Sequence, residues 1–80
     1  MARLVVHLRD AMTGIGIPFT AVFVGSASGV SDLSGDAVLD LPSGTYYLSV
    51  KSPMYAAAPG SPATVSVPGE VTVKMARVTL

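Results

Sequence analysis

Apolar and polar residues alternate along most of the chain. Residues 3–9 put Leu4, Val6 and Leu8 on one side and polar or charged groups largely on the other. Successive side chains of a strand point to opposite faces, so this pattern predicts a strand with one buried face. Residues 36–41 repeat it with Ala37, Leu39 and Leu41, and residues 45–51 with Tyr46, Leu48 and Val50. Residues 70–80 carry Val71, Val73 and Met75 in phase, then Val78 and Leu80 on the opposite parity. That slip predicts a bulge near Ala76 and Arg77. Residues 19–24 are β-branched and aromatic, as strands prefer, with Pro18 at the strand mouth, where a missing N–H is tolerated. Residues 63–67 form a further short strand. No window has a helical period: the run Ala56-Ala57-Ala58 is short and Pro59 stops it.

Turn chemistry separates these stretches. Residues 10–16 contain an Asp and two glycines, and residues 25–29 form a loop of small residues. Asp32-Leu33-Ser34-Gly35 and Pro42-Ser43-Gly44 read as tight reversals, with Asp32 accepting from turn amides and Gly35 and Gly44 relaxing the backbone. Residues 52–62 hold three prolines and a glycine and are expected to be irregular. Pro68-Gly69 is a turn dipeptide. About seven short strands at this spacing predict an all-β, antiparallel Greek-key sandwich of two small sheets, one domain over residues 1–80.

The stretch Ser31-Asp32-Leu33-Ser34-Gly35-Asp36-Ala37-Val38-Leu39-Asp40-Leu41-Pro42-Ser43-Gly44-Thr45-Tyr46-Tyr47-Leu48-Ser49-Val50 resembles the carboxypeptidase regulatory-like domain. Asp10 through Gly14 with Pro18 resembles that family's opening, and Pro53-Met54-Tyr55 its Pro-Gly-Tyr, with Met54 in place of Gly. The resemblance spans nearly the whole chain. It implies a transthyretin-like sandwich of seven strands and a non-catalytic module. Fold alone does not dictate function.

Composition narrows the function classes. Half the residues are hydrophobic, 12% are charged, and mean hydropathy is +0.59. That is the opposite of a disordered chain. Five basic residues balance five acidic ones, so there is no basic footprint for nucleic acid. No run approaches the about 20 apolar residues of a membrane-spanning helix, nor the about 7–15 of a secretory signal core, so membrane insertion is not expected. With no cysteine there is neither a disulfide framework nor thiolate chemistry, and no cofactor or metal is expected.

Candidate chemistry is sparse. His7 is the sole histidine, and Leu4-Val5-Val6-His7-Leu8-Arg9-Asp10 resembles the opening of 5-hydroxyisourate hydrolase, where that histidine is catalytic. The second histidine and the C-terminal Tyr-Arg-Gly-Ser of that enzyme are missing, so the expectation is no enzyme and an outward His7. Asp32, Ser34, Asp36 and Asp40 place oxygen atoms at alternating positions, as calcium ligands do, but Gly35 falls in the wrong place for a calcium loop and no late Glu follows, so they read as turn caps. The serines have no elbow motif, and the glycines of residues 14–16 and 25–29 form no phosphate cradle.

The outward faces say more. With Thr20, Val22 and Val24 inward, Ala21 and Phe23 turn outward, and the same parity exposes Val5, Val38 and Tyr47. Several apolar groups on one outer face would form an interface; scattered over two sheets they would not. Met54 and Tyr55, in the long loop, are contact residues or packing residues. The expected function is therefore a non-catalytic structural or assembly module, a homo-oligomer joined through a sheet face or edge strand, with Phe23, Val38, Tyr47, Met54 and Tyr55 as candidate contacts. The alternative is an accessory recognition or spacer module that binds carbohydrate or a protein partner.

Overall fold

The computed structural model describes residues 1–78. The chain is all-β, with two four-stranded sheets packed together. Among the described residues there are eight strands: β1 Ala2–Asp10, β2 Ala21–Val24, β3 Ala27–Val30, β4 Asp36–Leu41, β5 Gly44–Lys51, β6 Tyr55–Ala57, β7 Thr64–Val67 and β8 Gly69–Arg77. One sheet runs β4-β1-β8-β6 and the other β3-β2-β5-β7.

The alternating residues define the space between the sheets. Leu4, Val6 and Leu8 from β1 meet Val22 and Val24 from β2, Ala37, Leu39 and Leu41 from β4, and Val73 and Met75 from β8 in one buried cluster. These are small and medium aliphatic chains. Together they fill a thin core without any tryptophan or phenylalanine, and each carries about 1.5–3 kcal/mol of burial if of Val or Leu size. Tyr46 lies at its margin and donates from its hydroxyl to the Pro42 carbonyl at 2.6 Å, which ties β5 to the preceding turn.

Four sequence expectations are corrected. The strands number eight rather than about seven: β3 and β6 arise where loops were expected and join the six stretches that alternation and composition marked. β3 forms by a two-residue hairpin: Val24 pairs with Ala27 across Gly25-Ser26, and Gly25 has φ 57, a conformation that suits the twist of a tight hairpin. β6 forms because the edge of β8 away from β1 is open, so Tyr55–Ala57 can pair with it between two prolines. The sheets are not wholly antiparallel: β1 and β8 run parallel, from Leu4 opposite Gly69 to Asp10 opposite Met75. β2 begins at Ala21 rather than at residue 19, because Phe19 and Thr20 are drawn into a loop clamp. Finally, the register of β8 against β6 is unbroken through Ala76 and Arg77, so no bulge occurs there; Val78 is exposed past the strand end, and Leu80 lies outside the described residues.

Candidate functional site

The two outer faces differ sharply in charge. Outward positions of the β4-β1-β8-β6 sheet carry Arg3, Arg9 and Lys74 with Asp36, Asp40 and Glu70, six of the ten charged residues of the chain. Outward positions of the β3-β2-β5-β7 sheet carry one, Lys51, at the end of β5. The rest of that face is hydroxyl-bearing or apolar. Phe23 lies opposite Ser28 on one side and Ser49 on the other, and Tyr47 lies opposite Thr64. Gly25 donates its N–H to the Tyr47 carbonyl at 3.1 Å, which continues the β2–β5 ladder. Phe23 and Tyr47 are therefore diagonal neighbours, within reach for side chains of their size. Tyr47 is 82% exposed and Phe23 37%.

The charged face holds the single histidine. His7 Nδ1 lies 2.7 Å from Asp36 Oδ1, and Nε2 lies 2.8 Å from Glu70 Oε1. Arg9 donates to the same Asp36 oxygen at 3.0 Å and to the Ser34 carbonyl at 3.0 Å. Three strands are thus bridged through one imidazole: β4 by Asp36, β1 by His7, β8 by Glu70. Hydrogen bonding to Glu70, and then to Asp36, raises the His7 pKa above its ordinary 6.5. His7 and then Arg9 lower that of Asp36. With a carboxylate on each ring nitrogen, the imidazolium is favoured and neither nitrogen is free to act as a base. No set of three or more His, Cys, Asp or Glu among the described residues is placed to hold a metal ion.

The candidate contacts fall in three places. Phe23 and Tyr47 share the uncharged face. Val38 is on the charged face, paired with Val5. Met54 and Tyr55 are at the end of the molecule where β1 finishes. There Tyr55 is half-buried, packed against the core, and donates its hydroxyl to Asp10 Oδ2 at 3.3 Å. Tyr47 and Tyr55 do not form one surface, since they belong to different sheets.

That same end holds what sequence reasoning missed. Phe19 has φ 54, in the left-handed region that a bulky side chain avoids. Such a residue stores about 1–3 kcal/mol and persists only where its surroundings dictate it. The surroundings here are Ser31 and Thr20, both buried. Phe19 N–H donates to the Ser31 carbonyl (3.0 Å), Ser31 N–H to the Thr20 carbonyl (2.9 Å), Thr20 N–H to Ser31 Oγ (2.9 Å), and Ser31 Oγ to the Ile17 carbonyl (2.8 Å). The ring so held is 71% exposed. The turn residues lie nearby: Asp32 Oδ1 accepts from Ser34 N–H at 2.9 Å and Asp36 N–H at 3.0 Å, and Gly35, at φ 85, leaves no room for a Cβ beside Ile17 N and Leu8 O. A polar pair spaced eleven residues apart was the available signal for the clamp; the φ of Phe19 had none.

Comparison of the sequence with protein-family models and with curated proteins finds no match.

Proposed function

We propose that this chain is a non-catalytic structural module that assembles with copies of itself through the outer face of the β3-β2-β5-β7 sheet. The carrying observation is the charge asymmetry: one sheet faces outward with six charged side chains, the other with Lys51 alone and with Phe23 and Tyr47 at its centre. A face meant for water is usually studded with charge. A face meant for a second protein loses charge and gains aromatics, above all tyrosine. Edge pairing is the weaker route: of the four edge strands, β3, β6 and β7 are only three or four residues long, and the six-residue β4 carries Asp36 and Asp40, so short length or charge blunts each edge against a further strand. The engagement of both His7 nitrogens supports the non-catalytic reading.

The strand order supports a transthyretin-like, Greek-key connection: β1 sits between β4 and the parallel β8, facing β3-β2-β5-β7. That arrangement agrees with the resemblance to carboxypeptidase regulatory-like domains, and we carry the family as part of the proposal. Tyr47 among hydroxyls also favours carbohydrate stacking as a second reading.

Solution mass over a concentration series tests the first. The wild-type chain is expected to exceed 8.1 kDa, and Phe23→Asp or Tyr47→Asp to weaken association at least tenfold while far-UV circular dichroism and melting stay close to wild type. Association unchanged in both variants sinks the sheet-face reading. A wild-type monomer that binds an insoluble polysaccharide in a Tyr47-dependent way transfers the face to sugar.

A further inference from the structure

The end of the molecule beyond Asp10 offers a second, separate surface. Met12, Ile15 and Phe19 from residues 11–20, Leu33 from residues 31–35 and Met54 from residues 52–54 are all exposed there. Met12 is 94% exposed, Leu33 79%, Phe19 71%, Ile15 68% and Met54 51%. Five large apolar side chains so exposed at one end exceed the scattered single ones of an ordinary surface, and burying them on each of two copies approaches the scale of a standard interface, about 800 Å² per partner. The acidic groups at this end are already engaged. Asp10 Oδ1 accepts from Met12 and Thr13 N–H and its Oδ2 from the Tyr55 hydroxyl; Asp32 Oδ1 caps its own turn. A dry contact there leaves neither carboxylate without a partner.

Beside Phe19 lies an open groove of about 220 Å³, lined also by Pro18, Thr20, Pro53, Met54 and Tyr55. Protruding apolar side chains and an apolar groove thus share one surface. A two-fold contact between identical surfaces requires that combination, because each copy must supply both halves. The strain at Phe19 points the same way: Ser31 and Thr20 hold the backbone in the left-handed region for a ring that is left largely exposed.

We infer that this end is a second self-contact, docking end to end on another copy of the chain with Phe19 and Met12 of each seated against the loops of the other. It goes beyond the sheet-face reading, and either contact survives the failure of the other.

The test is solution mass of the full chain and of Phe19→Gly, Ile15→Asp, Tyr47→Asp, and the pairing of Tyr47→Asp with Phe19→Gly, with Val38→Asp as a control on the charged face. Phe19→Gly is the most informative, since glycine accepts φ 54. Melted at a concentration where wild type is monomeric, since association itself raises the melting temperature, it should unfold at or above the wild-type temperature, and at higher concentration it should lose at least tenfold in association. Tyr47→Asp should stop at a dimer, twice 8.1 kDa; the paired variant should be a monomer; Val38→Asp should match wild type. The inference is overturned if Phe19→Gly and Ile15→Asp associate as wild type does, which leaves the sheet face standing, or if Phe19→Gly melts several degrees lower, which makes the ring a structural one. A wild-type chain that stays monomeric at all concentrations overturns both contacts. If that monomer also sediments with phosphatidylcholine vesicles, and Ile15→Asp does not, the surface belongs to a bilayer rather than to a second copy.

Discussion

Gly16 is a residue whose importance comes from what approaches it rather than from its own torsions. A Cβ there would stand 1.8 Å from the Ser34 carbonyl oxygen and 2.5 Å from its carbon, both backbone atoms. Neither can withdraw without moving the turn that Asp32 caps, and with it Asp36 and the base of β4. Gly16→Ala is therefore expected to lower stability by about 2–4 kcal/mol, in the range of severe single-site changes. That corresponds to a fall on the order of 10–25 °C in melting temperature for a domain this small. Gly14, which has open space around it, needs glycine only for its φ of 76 and is expected to lose far less when replaced by Asn. Calorimetry on the two variants decides; similar losses would show that the close approach at Gly16 is soft. In the sequence the two glycines are indistinguishable, because the contact partner of Gly16 lies eighteen positions away. Asp32 was legible as turn chemistry because its amide partners lie within four residues, and Gly35 for its place in that turn; the crowding of Gly35 against Ile17 and Leu8 was not. The Phe19–Ser31 clamp was not, for the same reason that Gly16 was not.

Three strands meet at His7, and the sign of their coupling to pH follows from the geometry. The folded state raises the His7 pKa above 6.5, so it binds a proton more tightly than the unfolded chain does. The resulting stabilisation is fully present below pH 6.5 and is lost as the pH rises through the folded value. Asp36, lowered below 3.8, contributes above that pH and loses its contribution as the pH falls further. The bridge from β4 through β1 to β8 is strongest between those limits. His7→Gln should melt a few degrees below wild type at pH 5.5, and the gap should narrow steadily as the pH is raised above 6.5. A gap that is constant, or that widens with pH, would show that His7 acts by packing alone. The strands themselves were legible from alternation: β1, β4, β5 and β8 follow their apolar parity closely. The β8 partners of β1 were not, because a parallel pair 65 positions apart leaves no local mark. β6 was missed for a related reason: three residues between prolines become a strand only because β8 offers an edge.

Two self-contacts on different surfaces have a consequence that one does not. A single two-fold contact closes after two copies, whereas a sheet-face contact and an end contact on the same chain alternate without closing and generate an open array. The distribution of charge sets how such an array responds to solution conditions. The six charges of the β4-β1-β8-β6 face lie on the side that neither contact uses, and the net charge of the chain is zero. Association driven by burial of Phe23, Tyr47, Ile15 and Phe19 gains little from Coulomb attraction and has little to lose when salt screens it. Raising sodium chloride from about 0.05 to 1 M should therefore change the association constant by less than about threefold, since only contacts between exposed charges are strongly screened over that range. Ammonium sulfate, excluded from apolar surface, should strengthen it. A steep fall in association with sodium chloride would sink both contacts, and would turn attention to the charged sheet, where Arg3 stands opposite Asp40.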